Sequence, residues 1–124
     1  MFELTEEHRY FLCLYPVRFN MGIDGLYNVI VSNTHLSPMS GDVFVFFNKD
    51  RKMVKLLKWD TDGFLLYHKR LAKGKFELPT YNEDSGCFEM PWDTFYFVIK
   101  GVDLAAVKYH SRFRVKPFAN RQLN

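Results

Sequence analysis

Cysteine is scarce. Cys13 and Cys87 stand alone and far apart, so the chain shows neither a disulfide framework nor the paired spacing of a zinc site. Reduced thiols in a cytoplasmic protein are the expectation. Long apolar runs are missing too: none approaches the roughly 20 residues that span a bilayer, and no membrane partner is expected. The acidic start, MFELTEEHRYF, lacks the basic-then-apolar order of a secretory leader. Chemical signatures are equally thin. His8, His35, His68 and His110 are widely spaced, with no H-x-x-x-H or C-x-x-C to seed a metal site. Neither G-x-S-x-G nor a GxxxxGK[ST] phosphate loop occurs. Asp60-Thr61-Asp62-Gly63 lacks the later ligands of a calcium loop and reads as a hairpin turn. Gly22-Ile23-Asp24-Gly25 matches the short G-x-x-G clamp of KH modules. At the start of a helix, however, glycines more often permit close packing. No enzymatic activity, cofactor, metal or small-molecule substrate is expected.

What the chain has in abundance is aromatic and basic side chains. Thirteen Phe and seven Tyr, within a hydrophobic fraction of 48%, suit a β-rich core in one domain. The net charge of +3 is unevenly spread. Residues 1–48 carry two basic and five acidic side chains, which is −3. Residues 49–75 carry nine basic (Lys49, Arg51, Lys52, Lys55, Lys58, Lys69, Arg70, Lys73, Lys75) and three acidic, which is +6. The remainder balances at six and six, but nothing acidic follows Asp103, whereas Lys108, Arg112, Arg114, Lys116 and Arg121 do. Such asymmetry points toward a polyanionic partner. Lysines also guard strand edges against aggregation, which is the plainer explanation.

The order of elements follows from periodicity. Arg9 to Phe19 reads as a strand, with Pro16 demoting its far end. Asn20 is a plausible N-cap for a helix whose stripe is Ile23, Leu26, Tyr27 and Ile30, fading near Ser32-Asn33. Asp42 to Asn48 is apolar on both faces and belongs inside the sheet. Met53 to Trp59 and Phe64 to Arg70 form a hairpin, with Gly63 available for positive φ. Phe76 to Pro79 and Cys87 to Met90 are short extended segments. Pro91 to Gly101 is a second helix. The expected fold is α+β: a single domain over residues 1–107, with an antiparallel β-sheet meander and two main helices packed against it. A basic tail over 108–124 follows. With a turn at Asp60 to Gly63, Trp59 faces Phe64, Leu57 faces Leu66 and Lys55 faces His68, all six on one face.

Four stretches resemble one family in order: GIDGL (Gly22 to Leu26), SGDVFVFFNKDR (Ser40 to Arg51), KLLKWDTDGFLLYHKRLAKGKFELP (Lys55 to Pro79) and KGVD (Lys100 to Asp103). The family is the small accessory protein, TnpB or Orf2-like, of the bacterial insertion-sequence family numbered sixty-six. It is distinct from the RNA-guided nuclease that shares the name. The resemblance spans about residues 9 to 103 and departs at Arg18-Phe19-Asn20-Met21, where the family usually has D-M-R-K. It implies a non-catalytic role in DNA transposition beside a separate transposase that carries the catalytic acids.

On this basis the expected function is an accessory factor that binds DNA, at the transposon ends, or the transposase–DNA complex. Lys55, Lys58, Lys69, Arg70, Lys73 and Lys75 are the candidate phosphate contacts, with Arg112 and Arg114 of the tail assisting. Tyr67 or Trp59 could stack on an unpaired base if exposed. The alternative is a protein adapter that docks on the transposase without touching DNA, through an aromatic surface of Trp92, Phe95 and Tyr96.

Overall fold

A computed structural model describes residues 4–81 and 86–100. The 108–124 tail, with Arg112 and Arg114, lies outside the described residues, as does Gly101. Five strands and two helices follow in the order β1 (Tyr10–Cys13), α1 (Ile23–Asn33), β2 (Val43–Phe47), β3 (Met53–Asp60), β4 (Gly63–Arg70), β5 (Cys87–Met90) and α2 (Trp92–Lys100). They form one sheet of order β4-β3-β2-β1-β5, with β2 at the centre as its two-sided apolar sequence requires. β2, β3 and β4 are the antiparallel meander. β1 runs parallel to β2, because α1 carries the chain back across the sheet before β2 begins, so the sheet is mixed.

Side-chain alternation divides the core into two. On one face Leu26 and Ile30 of α1 pack over Phe11, Phe44, Phe46, Met53 and Leu57. On the other, Phe95, Val98 and Ile99 of α2 pack over Tyr10, Leu12, Val45, Val54 and Leu56. Each helix therefore covers one face of a single sheet, and β2 is buried along its whole length. The first strand is much shorter than Arg9 to Phe19. After Cys13 the chain leaves the sheet, and Val17 returns only as a core residue, its N–H donating to Phe47 O at 3.2 Å. The N-cap of α1 is Gly22 rather than Asn20, and no side chain caps the helix. Phe76 to Pro79 is not a strand. Phe76 is nonetheless fully buried, edge-on to Phe47, with its N–H donating to Arg51 O at 2.7 Å.

The β3–β4 hairpin has the register read from the sequence: Lys55 opposite His68, Leu57 opposite Leu66, Trp59 opposite Phe64. Its turn differs in detail. The positive φ falls on Thr61 (54°), not on Gly63, and the Asp62 N–H donates to the Asp60 carbonyl at 2.5 Å. The Asp60 main chain thus closes the bend. A β-branched residue in this region is strained.

The two cysteines are cross-strand partners on β1 and β5, with Cα atoms 4.0 Å apart, and their sulfurs are bonded. This corrects the expectation of reduced thiols. Seventy-four residues separate them in sequence, so no local spacing could announce the pairing.

Tyr10 is 1% exposed, stacks on Phe95 at 4.0 Å between centroids, and donates its hydroxyl to Thr5 O at 2.8 Å. Burial pushes its pKa up to about 12. A raised folded-state value means the stabilisation is whole below the unfolded value near 10 and is lost as pH climbs through about 12. About 2 to 3 kcal/mol should disappear over that window. Urea unfolding of Tyr10→Phe and the native chain at pH 9 and pH 11.5 checks this. The substitution should flatten the alkaline loss, and equal losses in both proteins would refute the assignment.

Candidate nucleic-acid interface

The β2–β3 turn, the end of β4 and the loop after it meet at one end of the sheet. Two backbone hydrogen bonds fasten them: Leu71 N–H to Lys52 O at 2.8 Å, and Phe76 N–H to Arg51 O at 2.7 Å. The turn itself is built by Asn48, whose side-chain oxygen accepts from the Lys52 and Met53 amides, each at 3.0 Å. Lys49, Arg51, Lys52, Arg70, Lys73 and Lys75 are all exposed here, and Lys69 is half-buried beside them. Seven cations less Asp50 and Glu77 leave a local charge of +5 over residues 48–52 and 69–78. None of the seven forms an ion pair among the described residues, where the salt bridge is Arg9 to Asp42. Arg70 lies over the Phe19 ring at 4.8 Å, and His68 meets the same ring edge-on.

The candidates from sequence therefore part company. Lys69, Arg70, Lys73 and Lys75 share this cationic rim. Lys58 lies far along β3, near the opposite turn, with its ammonium donating to Trp59 O at 3.2 Å. Lys55 points inward: it is 4% exposed, and its Nζ donates to Phe19 O at 2.8 Å and to Met21 O. Burial lowers its pKa, as expected for a cation that loses water. Its role in place is to hold the segment between β1 and α1 against the sheet, and it is not part of the exposed set. His68, opposite it, is lowered first by burial and then by the charges of Lys55 and Arg70.

Several motif positions turn out to be structural. A Cβ at Gly25 would overlap the Met21 side chain, so this glycine permits close packing at the start of α1. Met21 in turn supplies a carbonyl to Lys55. In the SGD segment, Gly41 has φ of 91°, and Asp42 receives Arg9 through two bonds of 3.0 and 2.8 Å plus the Ser40 hydroxyl at 2.8 Å. That carboxylate contact holds the Arg9 pKa above its ordinary value. The aromatic candidates differ in exposure. Trp59 and Tyr67 are half-buried, and Trp59 packs edge-on against Phe64. Phe95 is a core residue, Trp92 is half-buried, and only Tyr96 of that trio is exposed, at 43%.

On the hairpin register the charges of Lys49 to Lys55 and of Lys69 to Lys75 already gather away from the β3–β4 turn. Lys49, Arg51 and Lys52 are nonetheless not among the contacts chosen from sequence, and beside them lies a cleft of about 160 Å³. The cleft opens at the C-terminal ends of parallel β1 and β2, the side of an open sheet where crevices commonly form. The run NKDRK carried the charge signal; nothing local marked the cleft. Among the described residues, no three of His, Cys, Asp and Glu converge to hold a metal, and no helix is long and apolar enough to cross a membrane.

Fold and surface together define a small α+β protein that presents one strongly cationic end. The chain belongs to the family described as IS66 Orf2 like protein, whose sequence model matches residues 8–109. It is also 33% identical over 93 residues to the uncharacterized protein y4jC of Sinorhizobium fredii (strain NBRC 101917 / NGR234), covering 75% of this chain and 78% of the relative. No solved structure matches. Family membership implies an accessory role in transposition of an insertion sequence, and the family is not one of known enzymes.

Proposed function

We propose that the protein is a non-catalytic transposition factor that holds DNA by its phosphates, through Lys49, Arg51, Lys52, Arg70, Lys73 and Lys75. It acts in the cytoplasm at the transposon ends, in company with the element-encoded transposase, and Arg112 and Arg114 of the tail add further contacts. The observation that carries this reading is the +5 rim without internal ion pairs. Unneutralised cations gathered on one surface gain most from releasing the counterions of a polyanion. Contacts of this kind give affinity without sequence choice, so any preference for the ends comes from the transposase.

A salt titration of duplex binding tests it. The six rim contacts by themselves contribute about −5 to the slope of log affinity against log salt. A flat response would remove the idea. The adapter reading, in which the protein docks on the transposase without DNA, has weaker support, since its aromatic surface reduces to Tyr96.

A further inference from the structure

The cleft at the cationic end has a composition of its own. Tyr15, Pro16, Phe47 and Leu78 supply apolar and aromatic walls, and Lys49 and Arg51 stand among the lining residues. Asn48 also lines it, but its amide is largely engaged inside the turn: the oxygen accepts two backbone amides and one N–H of the nitrogen donates to Asp50 at 2.7 Å. The polar groups left for a ligand are thus chiefly cations. Aromatic and aliphatic side chains beside positive charge suit a molecule that is itself an apolar ring joined to an anion. At about 160 Å³ the space is well below the roughly 300 Å³ where sites for drug-sized molecules begin. One ring fits where a base pair does not.

Arg51 adds an independent observation. Its φ is 60°, and it shares with Thr61 the distinction of positive φ among the described non-glycine residues. Glycine, asparagine or aspartate would hold that bend at lower cost. Backbone strain borne by a residue that lines a cleft is a pointer to what its side chain does there. Here the strained residue is at once part of the lining of the cleft and part of the cationic rim.

We infer that the cleft receives one unpaired nucleotide, its base between the Tyr15, Pro16 and Leu78 walls and its phosphate on Lys49 and Arg51. The protein therefore favours DNA with unpaired bases over perfect duplex. This rests on the reading of the rim as a DNA-binding surface and extends it from charge to the state of the DNA. Stacking of a base on an aromatic side chain such as Tyr15 tolerates any sequence, in keeping with a surface that does not read bases.

The test measures anisotropy of three labelled probes of equal length at one salt concentration: a duplex, the same duplex with a single bulged nucleotide, and that bulge made abasic. The bulge is expected to bind about tenfold tighter than the duplex, and the abasic bulge to return to the duplex value. Pro16→Trp, placed at an exposed position to fill the cleft, should bring the bulge-to-duplex ratio to about one, with its melting curve confirming the fold. If that variant does not fold, the abasic comparison decides alone. Salt-dependent duplex binding with equal affinity for all three probes would overturn the cleft proposal and leave the rim reading standing. Absence of any DNA binding would overturn both. A glutamate-rich peptide that displaces the bulged probe at equal concentration would overturn the nucleotide assignment in favour of an acidic protein segment.

Discussion

Breaking the Cys13–Cys87 bridge is expected to lower the unfolding free energy by about 4 kcal/mol. The bond closes a loop of 74 residues, and the chain-entropy relation gives a value near 4.5 for a loop of that length, with measured bridges commonly at 2 to 4. Small domains have only about 5 to 15 kcal/mol in total, so the loss is large. Its effect should be concentrated at one margin of the sheet. β5 is an edge strand of four residues whose neighbour is β1, and α2 follows it directly. Freed of the bridge, β5 and α2 rest on their own pairing and on the packing of Phe95, Val98 and Ile99. Urea unfolding with and without a phosphine reductant checks the value, and Cys13→Ala/Cys87→Ala provides the reductant-independent comparison. Hydrogen exchange should show β5 amides losing protection before those of β3. A change below about 1 kcal/mol would mean that the bridge constrains little in the unfolded chain.

Replacing Arg70, Lys73 and Lys75 with glutamate should weaken duplex binding by about 100-fold or more at 0.15 M salt and reduce the salt slope from about −5 to about −3. Three of six contacts are lost, and three new negative charges face the phosphates. All three side chains are exposed and none makes an ion pair among the described residues, so the fold should persist with little change in melting temperature. Lys58→Glu supplies the geometric comparison. It alters charge equally per residue but sits toward the opposite end of β3, and duplex affinity should stay within about twofold. Equal losses for charge reversal at either end would show that net charge, not the rim, governs binding.

The contrast between Lys55 and Lys73 shows where sequence reading has its limit. Both belong to the basic middle segment, and charge alone made them equivalent. Lys55 faces inward because β3 is an interior strand and its Cα partner on β2 is Phe46. Two carbonyls from a distant loop then compensate the ammonium. Lys73 lies in the loop beyond β4, where it is exposed among the described residues. Neither the cover nor the carbonyls leave a trace in the spacing around residue 55.

The chain by itself determined the features that depend on near neighbours: two helices, a two-sided apolar central strand, and the β3–β4 hairpin down to its register. Alternation with a period of two and a tight turn specify which residues face each other within a few positions. Only the tertiary structure decided the parallel placement of β1, the Cys13–Cys87 pair, the inward turn of Lys55 and the cleft beside the Lys49–Lys52 turn. These depend on segments brought together across the sheet by packing and by a few backbone hydrogen bonds. The free energy that selects them comes from the whole core, and no short window of residues contains it.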